Sequence, residues 1–197
     1  MELILVLFIL FISIILHEIA HGYVAYLFGD DTAYRSGRLT LNPLAHIDPL
    51  GTIILPLLLV LSHTGFMLGW AKPVPVNMYG MREPRRGMMY VAIAGPLTNL
   101  TIAFILSLLL RIGVSGFWTN VLFQGISLNV MLAGFNLIPL PPLDGSRIVA
   151  YFLRGTWQRA YDRLEPYGLV ILFVLLYLGL LDRFFILLNP VINWFVR

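Results

Sequence analysis

Apolar residues in this chain fall into long blocks rather than at amphipathic spacing, the pattern of membrane-spanning segments. The first block predicts a helix from Leu3 to Phe28, stopped by Gly29-Asp30-Asp31. Roughly 25 helical residues at about 1.5 Å each cross a bilayer with some tilt. Further helices are predicted from Met88 to Leu110, Trp118 to Ile138 and Tyr167 to Leu188, with a tight turn near Gly113 to Gly116. Between the first two helices, Ala33 to Asp48 is more polar, and Arg38-Leu39-Thr40-Leu41-Asn42 alternates like a short strand. Leu50 to Trp70 is apolar but interrupted by Gly51, Pro56, His63 and Gly69; Lys72 to Arg86 is a loop rich in proline, glycine and charge. Pro139 to Asp144 breaks the chain again. Arg147 to Leu153 can then form a short interfacial helix with Ile148, Tyr151 and Phe152 on one face. The expected fold is an all-α polytopic membrane protein, one domain over residues 1–197. It has about four full transmembrane helices, a re-entrant or paired apolar segment and a short membrane-embedded strand region.

Composition narrows the class. The 197 residues are 59% hydrophobic and only 12% charged, against about 25% charged in ordinary soluble domains. With no cysteine, disulfides and thiolate metal sites are excluded, which leaves His, Asp and Glu as metal ligands. The formal charge of +3 reflects topology rather than nucleic-acid binding. Lys72, Arg82, Arg85 and Arg86 cluster in one loop, and Arg147, Arg154, Arg159 and Arg163 in another, as at cytoplasmic helix ends. The first apolar block lacks the basic start and small-residue cleavage site of a signal peptide, so it reads as a retained helix.

The chemistry is concentrated in His17-Glu18-Ile19-Ala20-His21, a His-Glu-x-x-His pattern. Residues four apart on a helix share a face, so both imidazoles can hold one zinc while Glu18 reaches an adjacent water. Five residues of this kind also arise by chance, and a set of interhelical hydrogen bonds is the bland alternative. Position favours the metal, because three ionisable side chains within five positions of a membrane helix are costly to keep without a use. A catalytic zinc usually takes three protein ligands and leaves one position for water. Asp144, in Leu143-Asp144-Gly145, is the best third candidate, yet it equally suits the N-cap of the short helix that follows. Spacing alone does not choose between them.

Together with Gly95-Pro96-Leu97-Thr98-Asn99 and the stretch from Asn136 through Asp144-Gly145, the motif resembles the site-2 protease family of intramembrane metalloproteases. The three motifs come in that family's order. The resemblance implies that Asp144 is the third ligand of one zinc per chain. It also implies that Asn99 and Asn136 help hold the substrate backbone or the oxyanion. The implied activity is hydrolysis of peptide bonds in membrane-embedded helices, with single-pass membrane proteins as substrates and no nucleic-acid partner. Compared with the family's larger members there is no room for a PDZ or cystathionine-synthase-like domain, and no helix precedes the motif. The extra apolar segment Leu50 to Trp70 matches a compact prokaryotic branch.

A shared metal constrains the path of the chain. If His17, His21 and Asp144 meet, the first helix and the helix from Trp118 run in the same direction, and the helix from Met88 runs opposite. Residues 29–87 then start and finish on one side, so Leu50 to Trp70 is expected to be re-entrant or paired with an irregular return through Pro73 to Val76. The basic clusters all fall on the zinc side, which the positive-inside rule makes the cytoplasmic face of a prokaryotic plasma membrane. Glu18 is expected to serve as general base and then acid. Arg38 to Asn42 is expected to offer an edge to an unwound substrate. His46 is a candidate to line the site, and His63 reads as near an interface or hydrogen-bonded locally; neither is expected to bind zinc. The rival class is a membrane zinc carrier or sensor, which has no need of Glu18. A structural zinc would call for four protein ligands, and three are in sight.

Overall fold

The N-terminal apolar block folds as α1 (Glu2–Leu27), which ends at Gly29 with a φ of 104° that turns the chain away. The computed structural model describes residues 1–54, 57–58, 61–62 and 71–197, and all regular structure among them is helical. A single turn, α2 (Thr32–Arg35), follows α1 and is held by Asp30, whose Oδ1 accepts from the N–H and hydroxyl of Thr32. α3 (Pro84–Arg111) opens on a proline, which removes one of the first-turn donors that would lack a helical partner. The expected tight turn, with Gly113 and Gly116 both at positive φ, leads into α4 (Phe117–Asn136). The short helix α5 (Asp144–Phe152) follows the proline-rich break, then α6 (Gly155–Asp162), α7 (Gly168–Tyr177), α8 (Leu180–Leu187) and α9 (Asn189–Val196).

Contacts fix the helix directions. Going up α1, Glu2 meets Gln124, Gly125 lies against Ile9, and His17 and His21 meet Asp144, so α1 and α4 run parallel. His17 bonds Asn99 whereas His21 bonds Val91, so α3 runs the opposite way. Arg82 N–H donates to the Phe28 carbonyl, and the rings of Phe28 and Tyr90 stack at 5.6 Å. The chain between α1 and α3 therefore leaves and returns at one end of the bundle, as expected. Buried small residues, including Gly22 and Ala25 on α1 and Gly95 and Ala103 on α3, let the backbones approach closely where lipid supplies no hydrophobic drive between helices.

The structure departs from expectation in several places. Among the described residues two helices, α1 and α3, are long and apolar enough to span a membrane, and a third span arises only if residues 155–196 count as one bent unit. α4 has the length, at 20 residues, but carries Asn120, Gln124, Asn129 and Asn136. The expected helix from Tyr167 to Leu188 is broken. Gly179 takes a left-handed φ of 67°, and the two halves meet at 81°. Arg38 to Asn42 forms no strand, because its hydrogen bonds are local: Arg38 N–H donates to Ala33 O, and Asn42 N–H to the Thr40 hydroxyl. Of the expected re-entrant segment, residues 55–56, 59–60 and 63–70, His63 included, lie outside the described residues. Its start, Pro49–Ile54, is a π-helical turn.

The break between α4 and α5 is clamped. A methyl group on Gly145 would fall on the carbonyl oxygens of Leu137 and Ile138, and one on Gly168 on that of Pro141. Arg85 closes the far end of α5 by donating to the carbonyls of Ala150, Tyr151 and Leu153. Gly145→Ala or Gly168→Ala should therefore destabilise the detergent-purified protein by about 1–3 kcal/mol, since backbone cannot step aside as a side chain can. Thermal melts matching the wild type would show that the loop is not gripped in this way.

Candidate metal centre

His17 and His21 sit one turn apart on the buried face of α1, with their rings edge to face at 4.6 Å. Opposite them α3 presents Gly95; a Cβ there would stand 2.5 Å from Cε1 of both rings. Only glycine lets the helix backbone come this close.

Each ring is oriented from behind. His17 Nδ1 donates to Asn99 Oδ1 at 2.6 Å, and His21 Nδ1 donates to the Val91 carbonyl at 2.7 Å. The partners are carbonyl oxygens, which only accept, so the proton of each neutral imidazole belongs on Nδ1 and the lone pair on Nε2. The amide of Asn99 is itself pinned. It is fully buried, and its Nδ2 donates to Asn129 Oδ1 at 3.1 Å; Asn129 Nδ2 in turn donates to Gly125 O. A chain of amides thus runs from His17 into the core of the bundle.

Asp144 opens α5. The N-cap position belongs to Leu143, and no side chain caps this helix, so the capping alternative left open by the sequence does not hold. The carboxylate instead turns to the imidazoles, with Oδ2 at 3.3 Å from His17 Nε2 and 3.4 Å from His21 Nε2. The three candidate ligand atoms lie within 4.8 Å of one another. Oδ2 is buried without a hydrogen-bond partner. With both Nδ1 protonated outward, two Nε2 lone pairs and a carboxylate oxygen converge with no donor among the described residues. A cation answers that arrangement, and a His2Asp set with room for a fourth ligand suits zinc.

Glu18 lies beside the cluster, and its Oε2 accepts from the Val74 N–H at 2.8 Å. The other expected site residues are placed differently. Asn99 spends its amide on His17 and Asn129, so in this structure it orients His17. Asn136 donates to Leu132 O on its own helix. His46 is wholly buried, not site-lining: Nε2 donates to Thr40 O, and its own carbonyl accepts from Lys72 N–H. Asn129, the Val91 carbonyl and Val74 were not singled out from the sequence, and Arg38 only as the start of the expected substrate edge. Asn129 alone left a trace, as an amide amid the apolar residues of α4.

Comparison with known proteins gives the family. The model of peptidase family M50 matches residues 111–179, the stretch that contains Asp144. YwhC of Bacillus subtilis is 44% identical over 176 residues, which cover 84% of this chain and 77% of that protein. Rip2 of Mycolicibacterium smegmatis is 34% identical over 188 residues, 93% of this chain and 69% of that protein. Zinc metalloprotease MJ0392 of Methanocaldococcus jannaschii is 29% identical over 193 residues, 93% of this chain but 45% of the relative. No solved structure matches. With relatives aligned along most of its length and the family model matching a stretch that includes Asp144, the chain belongs to peptidase family M50.

Proposed function

We propose that the chain is an intramembrane zinc endopeptidase, with one zinc held by His17, His21 and Asp144 and with Glu18 as its general base. The observation that carries this reading is the convergence of two buried imidazoles and the buried Oδ2 of the partly buried Asp144 with no donor among the described residues between them. A relative named as a zinc metalloprotease supports the choice of metal. Zinc bound there supplies Lewis acidity, bringing the pKa of a water toward neutrality and polarising the scissile carbonyl. Glu18, one residue after His17, takes the proton from the water and later hands it to the leaving amine. Asn99 and Asn129 keep His17 in the ligating tautomer. Asn136 has one N–H on Leu132 O and offers its second to the oxyanion once a substrate enters.

The substrate class follows from the surroundings. A site between apolar helices takes a membrane-embedded segment, which must be unwound before attack, and residues 38–42 offer an irregular edge for the extended form. Single-pass membrane proteins fit this description. The bundle is read as crossing with α1, α3, α4 and the bent 155–196 unit. The basic residues at the start of α3 and around α5 and α6 mark the end of the bundle nearer Glu18 as cytoplasmic, in a prokaryotic plasma membrane. A zinc carrier would use the same ligands but gains nothing from Glu18 beside them.

Glu18→Gln should retain zinc and lose roughly 10²–10⁴-fold in hydrolysis of a single-pass substrate, and chelation should abolish cleavage by the wild type. Undiminished turnover in Glu18→Gln would defeat the assignment of the base. Asn99→Ala should weaken zinc binding by about 10–100-fold in a competition titration, with a smaller loss for Asn129→Ala one bond further out. A reporter fused near Arg85 should read as cytoplasmic, and the opposite reading would invert the topology.

A further inference from the structure

Residues 72–77 form an irregular strap across the C-terminal half of α1, and their polar groups are tied on several sides. Lys72 N–H donates to the His46 carbonyl, and Asn77 N–H donates to Asp30 Oδ2 at 2.6 Å. Pro73 and Pro75 have no N–H to place. Between them, Val74 donates to Glu18 Oε2, while its buried side chain lies over Gly22, where a Cβ would stand 2.8 Å from Val74 Cγ1. From the other side Arg38 Nη2 donates to the Lys72 carbonyl at 2.6 Å and to the Pro73 carbonyl at 3.3 Å.

The Pro73 carbonyl and the Val74 N–H belong to one peptide group. Arg38 therefore stands at the negative end of a peptide dipole whose positive end points at the Glu18 carboxylate. Arg38 is only 7% exposed and forms no ion pair among the described residues. Burying a guanidinium without a carboxylate is costly, so its placement on two carbonyls calls for a return. Polarising the shared peptide strengthens the hydrogen bond at its far end.

We propose that Arg38 is a positioning residue for the general base: through the Pro73–Val74 peptide it fixes Oε2 of Glu18 and leaves the second carboxylate oxygen to meet the water. The proposal rests on the peptidase reading of the site. The flanking prolines serve the same end, since a residue before proline is confined to extended conformations, here Lys72 and Val74.

The test uses the full-length zinc-loaded protein in detergent with a single-pass substrate. It compares wild type, Glu18→Gln, Arg38→Met, Arg38→Lys, Val74→Pro, which deletes the N–H, and Val74→Ala, which keeps it. Arg38→Met and Val74→Pro should each lower kcat by roughly 100-fold while KM stays within about threefold and zinc content stays at the wild-type value. Arg38→Lys should recover part of the loss, and Val74→Ala should lose far less than Val74→Pro. Hydrogen exchange at Val74 should accelerate in Arg38→Met whether or not zinc is present. The proposal is overturned by an unchanged kcat, by zinc lost in step with activity, or by faster cleavage, which would make the strap a lid. Cleavage that Glu18→Gln abolishes but Arg38→Met spares overturns this proposal alone. A wild type that cleaves nothing overturns the peptidase reading and this proposal with it.

Discussion

Three acceptors brought to one point inside an apolar bundle is the constraint on which this structure depends. Two imidazole lone pairs and a carboxylate repel one another unless a cation lies among them, and the protein must hold them together against that repulsion. It does so by anchoring each group from behind. His17 is anchored through Asn99 and Asn129, His21 through the Val91 carbonyl, and Asp144 through a helix whose start is gripped at Gly145 and whose far end is held by Arg85. The parallel course of α1 and α4, the antiparallel course of α3 and the glycine at position 95 are all conditions for the same meeting point.

Polar groups are otherwise scarce in this bundle, so those present are spent with economy. The amide chain behind His17 consumes its own donors and acceptors down to the Gly125 carbonyl, which leaves no unmet polar atom along that path. The strap over α1 follows the same rule with different means. Two of its six residues are prolines, so fewer donors need partners, and the N–H groups of Lys72, Val74 and Asn77 are met by His46, Glu18 and Asp30.

The residues that look alike in the sequence divide by their neighbours. Asn99 and Asn136 carry the same side chain, yet one is locked behind a ligand and the other rests on its own helix. His46 carries the ligand chemistry of His17 but sits in a turn, where it braces Lys72 and Thr40. Arg38 belongs by composition with the basic residues of the membrane face and in the fold with the strap beside Glu18. None of these roles follows from residue type.

The sequence by itself determined the helical class, the blocks that become α1, α3 and α4, and the pairing of His17 with His21. These depend on local spacing: an apolar run forms a helix in lipid, and residues four apart on a helix share a face. It also carried the relative direction of α1 and α4, once Asp144 was taken as a ligand. The tertiary structure decided that Asp144 turns to the imidazoles instead of capping α5, that Asn99 points inward, that the last helix bends at Gly179, and that residues 38–42 bind locally instead of forming a strand. Each of those depends on contacts between residues far apart in the chain. Spacing can nominate such contacts, but only packing selects among them, because each polar group in the interior takes whichever partner the surrounding helices bring within reach.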